Sequence, residues 1–449
     1  MPIKELVERS ESMEDRLLEK MFEYDRWVEL LEKADEKGIN KTVLRKMSSP
    51  QVRLMLYEAI KNNRYEIRPP RVLLIPKDDG TMRKVYANED EDRIVCTLVN
   101  DCMMELFKEY IHPSCVSYQK GTGCQEIVQK VSREVVRLGK NTTEHIGYVS
   151  DFSKYFDNVS IEAINDCFNR METKLGFEVG TEPVIEMMRR YYHNELYFDE
   201  NGELKSKFQS LKQGCAVAAM LSCMVLYELD EYMSKTSLIY YRYSDDCLTI
   251  REDTSEIVND INNITSKYGV TLNSKKVKPV YADQFFKFLG FKIRGSQITL
   301  SKNRVKKLQK EIVSRTLSKP NISERQAKQN VLKFLYGNAD GFSWATACLG
   351  TVNIETDLIE IDNFIKDCLR ACKIRETQKR KSKISIADLG GLGSVDNLSD
   401  RTILRGKGKR VRTYRDRTEK TIQNYKTMNC LSKAYKMNVN IYESVVRGI

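Results

Sequence analysis

The chain reads as an α+β fold, with an antiparallel sheet at its centre and helices on either side in sequence. Three observations predict this. Apolar residues recur at three- and four-residue steps near the N-terminus and again after Pro320, the spacing of amphipathic helices. Between those regions lie short runs rich in Val, Ile, Tyr and Phe, bounded by Gly and Asp, which read as strands. Two of these runs flank an adjacent pair of aspartates, a hairpin with an acidic turn. With 449 residues, 41% hydrophobic and 31% charged, the chain buries cores of more than one lobe, which excludes a disordered chain, a collagen and a small disulfide scaffold.

The elements follow in order. Leu17, Leu18, Met21, Trp27, Leu30 and Leu31 predict a charged helical region over about 10–63, interrupted at Gly38. Arg71–Pro76 and Arg83–Tyr86, joined through Lys77-Asp78-Asp79-Gly80, predict a β-hairpin with basic residues at its tip and on its second strand. Helical periodicity returns over 92–110 and, after Gly121-Thr122-Gly123, over 125–138. A strand over 145–151 ends on Asp151, followed by helices over 161–171 and 182–192 and a long Ala-, Met- and Leu-rich helix over 213–233. Leu238–Tyr243 and Cys247–Ile250 are strands around Ser244-Asp245-Asp246; a helix to about Tyr268 and a strand over 285–291 come next. Ser323-x-x-Gln326 after Pro320 is a capping box, its helix closing at Gly337, and Ile354, Leu358, Ile361, Ile365, Cys368 and Cys372 mark a further helix.

Charge is unevenly distributed. From Ala371 to the end there are 19 basic and 7 acidic residues, a net +12 against +11 for the whole chain, which leaves residues 1–370 at −1. A basic extension on a near-neutral body points to a polyanion, RNA or DNA, with a solvated charged tail as the plain alternative. The start, Met1–Arg9, has no apolar stretch of a secretory leader and no run approaches a membrane span, so a soluble cytoplasmic protein without a membrane partner is expected. The 12 cysteines are scattered without a Cys-x-x-Cys pair beside only 3 histidines, which disfavours zinc and a Cys/His nucleophile.

The carboxylates carry the chemistry. Two adjacent aspartates between apolar strands repel one another and lose hydration, so a positive group must compensate them. Asp245, Asp246 and the strand-terminal Asp151 are hard oxygen ligands suited to Mg²⁺, and two such ions about 3.5–4 Å apart stabilise both oxygens of an in-line phosphoryl displacement. Taken alone, an Asp pair is better read as a solvated hairpin turn; the interior character of its flanks favours the functional reading.

Tyr243-Ser244-Asp245-Asp246 resembles the Tyr-x-Asp-Asp signature of reverse transcriptases, and Asp151-Phe152-Ser153-Lys154-Tyr155-Phe156-Asp157 resembles their first acidic motif. Ile75-Pro76-Lys77-x-x-Gly80-x-x-Arg83, Gln213-Gly214, Asn273-x-x-Lys276 and Phe288-Leu289-Gly290-Phe291 extend the resemblance in family order, over about 65–300. The resemblance implies a right-hand polymerase. Residues 1–64 would be an N-terminal helical region, 65–150 the fingers, 151–299 the palm with the catalytic Asp triad, 300–372 a helical thumb and 373–449 the basic extension.

It also implies roles. Two Mg²⁺, or Mn²⁺ in substitution, would be held by Asp151, Asp245, Asp246 and the Phe152 carbonyl. Lys77 and Arg83 would meet the triphosphate of a dNTP, where a point charge and a forked guanidinium both suit phosphate. Phe156 would stack under the sugar and exclude a 2′-hydroxyl, and Gln213 would support the nascent base pair. Lys276 would protonate the departing pyrophosphate, a role Lys275 and Lys278 could share, and Phe288–Phe291 would grip the primer. Where many members carry Ser-Pro, this chain has Ala218-Ala219, which predicts an earlier helix start and an altered template contact.

With no Cys/His endonuclease, ribonuclease H, protease or integrase discernible, the resemblance is to compact bacterial reverse transcriptases of the retron and group II intron-like kind, and most to the defence-associated, abortive-infection type. Such an enzyme would copy a structured noncoding RNA into cDNA. Template-independent or protein-primed DNA synthesis, a catalytically silent RNA-binding scaffold and an RNA-dependent RNA polymerase are the rival readings. Template, primer and oligomeric state stay open.

Overall fold

A computed structural model describes residues 16–77, 80–119, 123–139, 144–337 and 343–382. The chain divides into two compact units: Gly147–Lys278 together with the chain up to Gln119, and Lys120–Ile146 together with the chain from Pro279 onward.

In the first unit, helices Arg16–Phe22, Tyr24–Glu32, Lys41–Met47 and Pro50–Lys61 form the expected helical start from Arg16 on. The Asn40 side chain caps the third by accepting from the Thr42 and Val43 amides, and Pro50 opens the fourth where its missing N–H is not needed. They bury Leu17, Leu18, Met21, Trp27, Leu44 and Ile60 in the same core as helices Asp90–Leu106, Ile161–Leu175 and Pro183–His193.

Two sheets lie on that core. β1 (Arg71–Pro76) and β2 (Met82–Ala87) are an antiparallel hairpin in the register Ile75↔Arg83 and Pro76↔Met82. β3 (Gly147–Asp151) belongs to the second sheet, while β4 (Leu196–Phe198) and β5 (Leu204–Ser206) extend the hairpin sheet in the order β2-β1-β4-β5. β6 (Ile239–Tyr243) and β7 (Asp246–Ile250) form the acidic hairpin; the second sheet is β6-β7-β3 with the short strand β8 (Lys278–Val280) at its edge. Burial on both faces explains why β7 reads as a continuous apolar run, Cys247 to Ile250. At Gly147 a Cβ would stand 2.0 Å from the Thr249 carbonyl oxygen, so only glycine lets β3 lie this close to β7.

The helix expected over 213–233 is a correction. It is two helices, Ala218–Met224 and Tyr227–Thr236, and Ala218-Ala219 does not start it earlier. Gly214 has φ +119 and Lys212 φ +48, backbone that no helix contains, so the chain cannot wind until it has left the Gln213-Gly214 turn.

In the second unit, helix Cys124–Gly139 accompanies a three-stranded antiparallel sheet of β9 (Phe286–Phe288), β10 (Phe291–Arg294) and β11 (Gln297–Leu300). The single strand expected over 285–291 is therefore two strands around a Leu289-Gly290 turn, both residues at positive φ (+48 and +77), the two-residue turn whose twist matches its strands. Helices Lys302–Arg315, Glu324–Tyr336 and Glu355–Ser382 follow. The Ser323/Gln326 capping box forms with both of its hydrogen bonds, and Gly337 closes that helix at φ +69. Most of the expected basic extension, from residue 383, the hairpin tip Asp78-Asp79 and residues 121–122 lie outside the described residues. Among the described residues eleven cysteines are free thiols, ten of them buried, and no helix is long and apolar enough to cross a membrane.

Candidate active site

The site grows from the register of three strands. Asp151 is the Cα partner of Asp246 across β3 and β7, and Asp246 that of Tyr243 across β7 and β6. Ser244 and Asp245 are the two residues of the β6–β7 turn; Ser244 takes φ +56, the positive angle of a II′ hairpin at its first central residue. Past the sheet the Phe152 amide donates to the Asp245 carbonyl oxygen at 3.2 Å, and the Asn273 amide donates to the Asp151 carbonyl oxygen at 2.9 Å.

Below this turn lies Arg242, with no exposed surface. Its guanidinium makes a bidentate pair with the equally buried Asp230, Nε to Oδ1 at 2.7 Å and Nη2 to Oδ2 at 2.6 Å. Its remaining protons go to carbonyl oxygens of Ser222 (3.0 Å), Cys223 (2.9 Å) and Ser244 (3.2 Å). The first two are orphan acceptors at the end of helix Ala218–Met224, so Arg242 caps that helix and holds the acidic turn with one planar group. The Ser244 amide is held from the other side, donating to the Ser117 hydroxyl at 2.5 Å. Arg242, Asp230 and Ser117 were missed by sequence reasoning; the one signal was an arginine inside an otherwise apolar strand.

Lys276 meets Asp151, Nζ to Oδ2 at 2.7 Å. The Asn273-x-x-Lys276 spacing explains this. Asn273 is tied through its amide to Asp151, its side chain accepts from the Lys275 amide at 3.2 Å, and the one-turn 3₁₀ helix Ser274–Lys276 brings the ammonium back over the strand end. Burial works against the Lys276 charge, but Asp151 outweighs it and holds the ammonium above its ordinary range. Burial, and then the charge of Asp151, push the Asp245 carboxyl up, with Lys276 and Arg83 opposing.

The other expected residues divide. Arg83 is exposed on β2, and its charge reaches Asp245. Phe156 is half-buried in the short helix Tyr155–Asn158, its ring edge-on to Tyr155 at 5.6 Å and its carbonyl oxygen accepting from the Leu211 amide. The Gln213 carbonyl oxygen accepts from the Tyr86 amide at 2.7 Å, and a Cβ on Gly214 would meet Tyr86 O at 2.7 Å, so the Gln-Gly turn lies flush against the hairpin strand carrying Arg83. Lys77 is exposed just beyond the end of β1. Leu289-Gly290 lies in the second unit, where Arg304 donates to the Leu289 carbonyl oxygen at 3.1 Å and stacks on Phe291.

The acidic residues fit a divalent cation in part. Asp151 Oδ1 is buried without a hydrogen-bond partner, and Asp245 is destabilised by Asp151, both of which a cation would relieve. Asp246 is more exposed. Among the described residues no three His, Cys, Asp or Glu side chains are grouped as a ready-made metal site. Lys276, on Asp151 Oδ2, places a positive charge beside the aspartates.

Residues 75–293 match the family described as reverse transcriptase (RNA-dependent DNA polymerase). Protein YkfC of Escherichia coli strain K12 is 20% identical over 294 residues, 57% of this chain and 74% of that protein. The putative COX1/OXI3 intron 1 protein of Saccharomyces cerevisiae is 21% identical over 345 residues, 64% of this chain and 39% of that one. Among solved structures, a telomerase from Candida albicans in complex with a fragment of telomeric RNA gives a TM-score of 0.42 at 12% identity, covering 86% of this chain and 65% of that chain. An apo telomerase from Candida tropicalis gives 0.35 at 13%, covering 52% and 55%. The chain spans less than two thirds of the yeast protein and of both telomerase chains.

Two measurements check the electrostatics. Arg242→Met strands Asp230 in the core and is expected to lower unfolding free energy in urea by about 3–5 kcal/mol, with Arg242→Met/Asp230→Leu recovering part of it. Lys212, beside Gln213, is fully buried; its ammonium donates to the Asn194 carbonyl oxygen at 2.6 Å and lies 4.4 Å from the Tyr191 ring centroid. Burial lowers it to about 8 from 10.5. Between those values the unfolded chain binds a proton the folded one does not, so stability rises with pH across that window, by up to about 3 kcal/mol. Lys212→Met removes that rise in urea titrations from pH 7.5 to 10.5, and a persisting rise contradicts the assignment.

Proposed function

Since this chain carries a reverse transcriptase domain over residues 75–293, we propose that it copies a structured noncoding RNA into cDNA by extending a primer with dNTPs, in antiphage defence in the bacterial cytoplasm. The observation that supports the chemistry is the strand register that sets Asp151 opposite Asp246 beside the braced Asp245 turn. In this reading residues 65–150 are the fingers, 151–299 the palm, 300–372 the thumb and 373–449 a basic extension that holds RNA through phosphate contacts.

Asp151 and Asp245, with Asp246 and the Phe152 carbonyl, would hold Mg²⁺ or Mn²⁺. Such ions supply charge stabilisation to the attacking and leaving oxygens of a phosphoryl transfer. Arg83, whose field reaches Asp245, meets the triphosphate, and Lys77 joins it from the same hairpin. Phe156 closes the space under the sugar, favouring deoxynucleotides. Gln213, flush with the hairpin strand, supports the new base pair. Lys276 is the positioned ammonium that gives a proton to the pyrophosphate, and its pairing with Asp151 keeps it at that place.

The defence role rests on likeness to the abortive-infection type and on the basic C-terminal composition. Its test is to purify the wild type and the Asp245→Ala/Asp246→Ala variant from the native host and sequence the co-purifying nucleic acid. One defined RNA in both, with complementary DNA in the wild type alone, is expected. DNA unrelated to any bound RNA, or covalently attached to the protein, would replace this reading with untemplated or protein-primed synthesis; RNA without DNA in either sample would favour the scaffold.

A further inference from the structure

The cations around the acidic residues lie towards β3 and the hairpin: Lys276 on Asp151 at 2.7 Å and Arg83 acting on Asp245. The opposite flank is aromatic. Tyr243, on β6, is across β7 from Asp151, and against it lies Tyr118, ring centroids 6.2 Å apart and tilted by 38°. The Ser244 side chain and the Asp245 charge are both felt at the phenol.

Two features of Tyr118 are unexplained by packing. It is 45% exposed, and its φ is +55, a left-handed backbone that a bulky side chain adopts only where the surroundings impose it. The surroundings are clear. Cys115 bridges to Arg242, the Val116 amide donates to the Arg242 carbonyl oxygen at 2.9 Å, and the Arg242 amide donates to the Ser114 carbonyl oxygen at 2.9 Å. The buried Ser117 hydroxyl then accepts from the Ser244 amide. Residues 114–117 are thus locked along β6, and Tyr118 is held out beside the catalytic turn. Burial of its hydroxyl pushes the phenol up to about 12, so it is neutral and offers a ring face.

In-line displacement puts the attacking and leaving oxygens on opposite sides of phosphorus. The cationic flank suits the pyrophosphate, which leaves the aromatic flank to the nucleophile. We propose that Tyr118 is a primer-contact residue, its ring packing on the 3′-terminal nucleotide and directing that hydroxyl towards Asp151 and Asp245. The inference rests on the polymerase reading above.

The test uses the full chain with a fluorescent DNA primer recessed on an RNA template, measuring binding by anisotropy and extension at steady state. Tyr118→Ala is expected to raise the primer Kd and KM on the order of tenfold, with the dNTP KM within about twofold of wild type, because a stacking face is lost and no phosphate contact is. Tyr118→Phe keeps the ring and is expected to stay near wild type, and both variants should melt at the wild-type temperature. Unchanged primer affinity in Tyr118→Ala, or a loss confined to the dNTP KM, overturns the assignment while leaving the polymerase reading intact. A wild type that binds the primer–template and extends nothing overturns both.

Discussion

Everything at the acidic site depends on one buried guanidinium. Arg242 satisfies the carboxylate of Asp230, the carbonyl oxygens at the end of a helix and the carbonyl oxygen of Ser244, all without solvent. A charge taken from water is tolerated only when it is paired and its remaining protons are used. Here the pairing is complete, and its geometry has a consequence: the helix that follows Gln213-Gly214 and the turn that carries Asp245 are fixed to the same planar group. Neither can shift without breaking a hydrogen bond in the core.

The rest of the site is arranged around that anchor by backbone. Asp245 receives the Phe152 amide, Asp151 receives the Asn273 amide, and Gln213 receives the Tyr86 amide, so five segments distant in sequence are tied through main-chain contacts. Glycine makes two of these approaches possible: Gly147 lets β3 lie on β7, and Gly214 lets its turn lie on β2. The charged side chains of the site are carried by this frame, with Lys276 and Asp151 neutralising one another across it.

Much of the site was legible because its residues sit in short, local patterns: an acidic strand end, an Asp pair between apolar runs, an Asn three residues before a Lys. The capping box at Ser323 was legible for the same reason. What was not legible is non-local or hidden in backbone angles. The partners of Arg242 come from residues 12 to 20 positions earlier and from carbonyls freed where a helix breaks at Val225-Leu226, which no periodicity announces. The helix expected from Gln213 failed on a positive φ at Gly214, and the strand expected through Phe288 failed on positive φ at Leu289 and Gly290. The grouping of residues 120–146 with the chain beyond Pro279 also escaped notice, since it rests on long-range contacts such as the Ser132 hydroxyl donating to the Gly295 carbonyl oxygen.

The most direct measurement of the central claim, that this braced turn serves template-directed DNA synthesis, is single-nucleotide addition. A labelled DNA primer annealed to a defined RNA is offered each dNTP alone with Mg²⁺. The account predicts that the dNTP complementary to the next RNA base is added and the other three are not, and that Asp151→Asn adds none while still binding the hybrid. Addition regardless of the template base, or addition by Asp151→Asn at the wild-type rate, would contradict it.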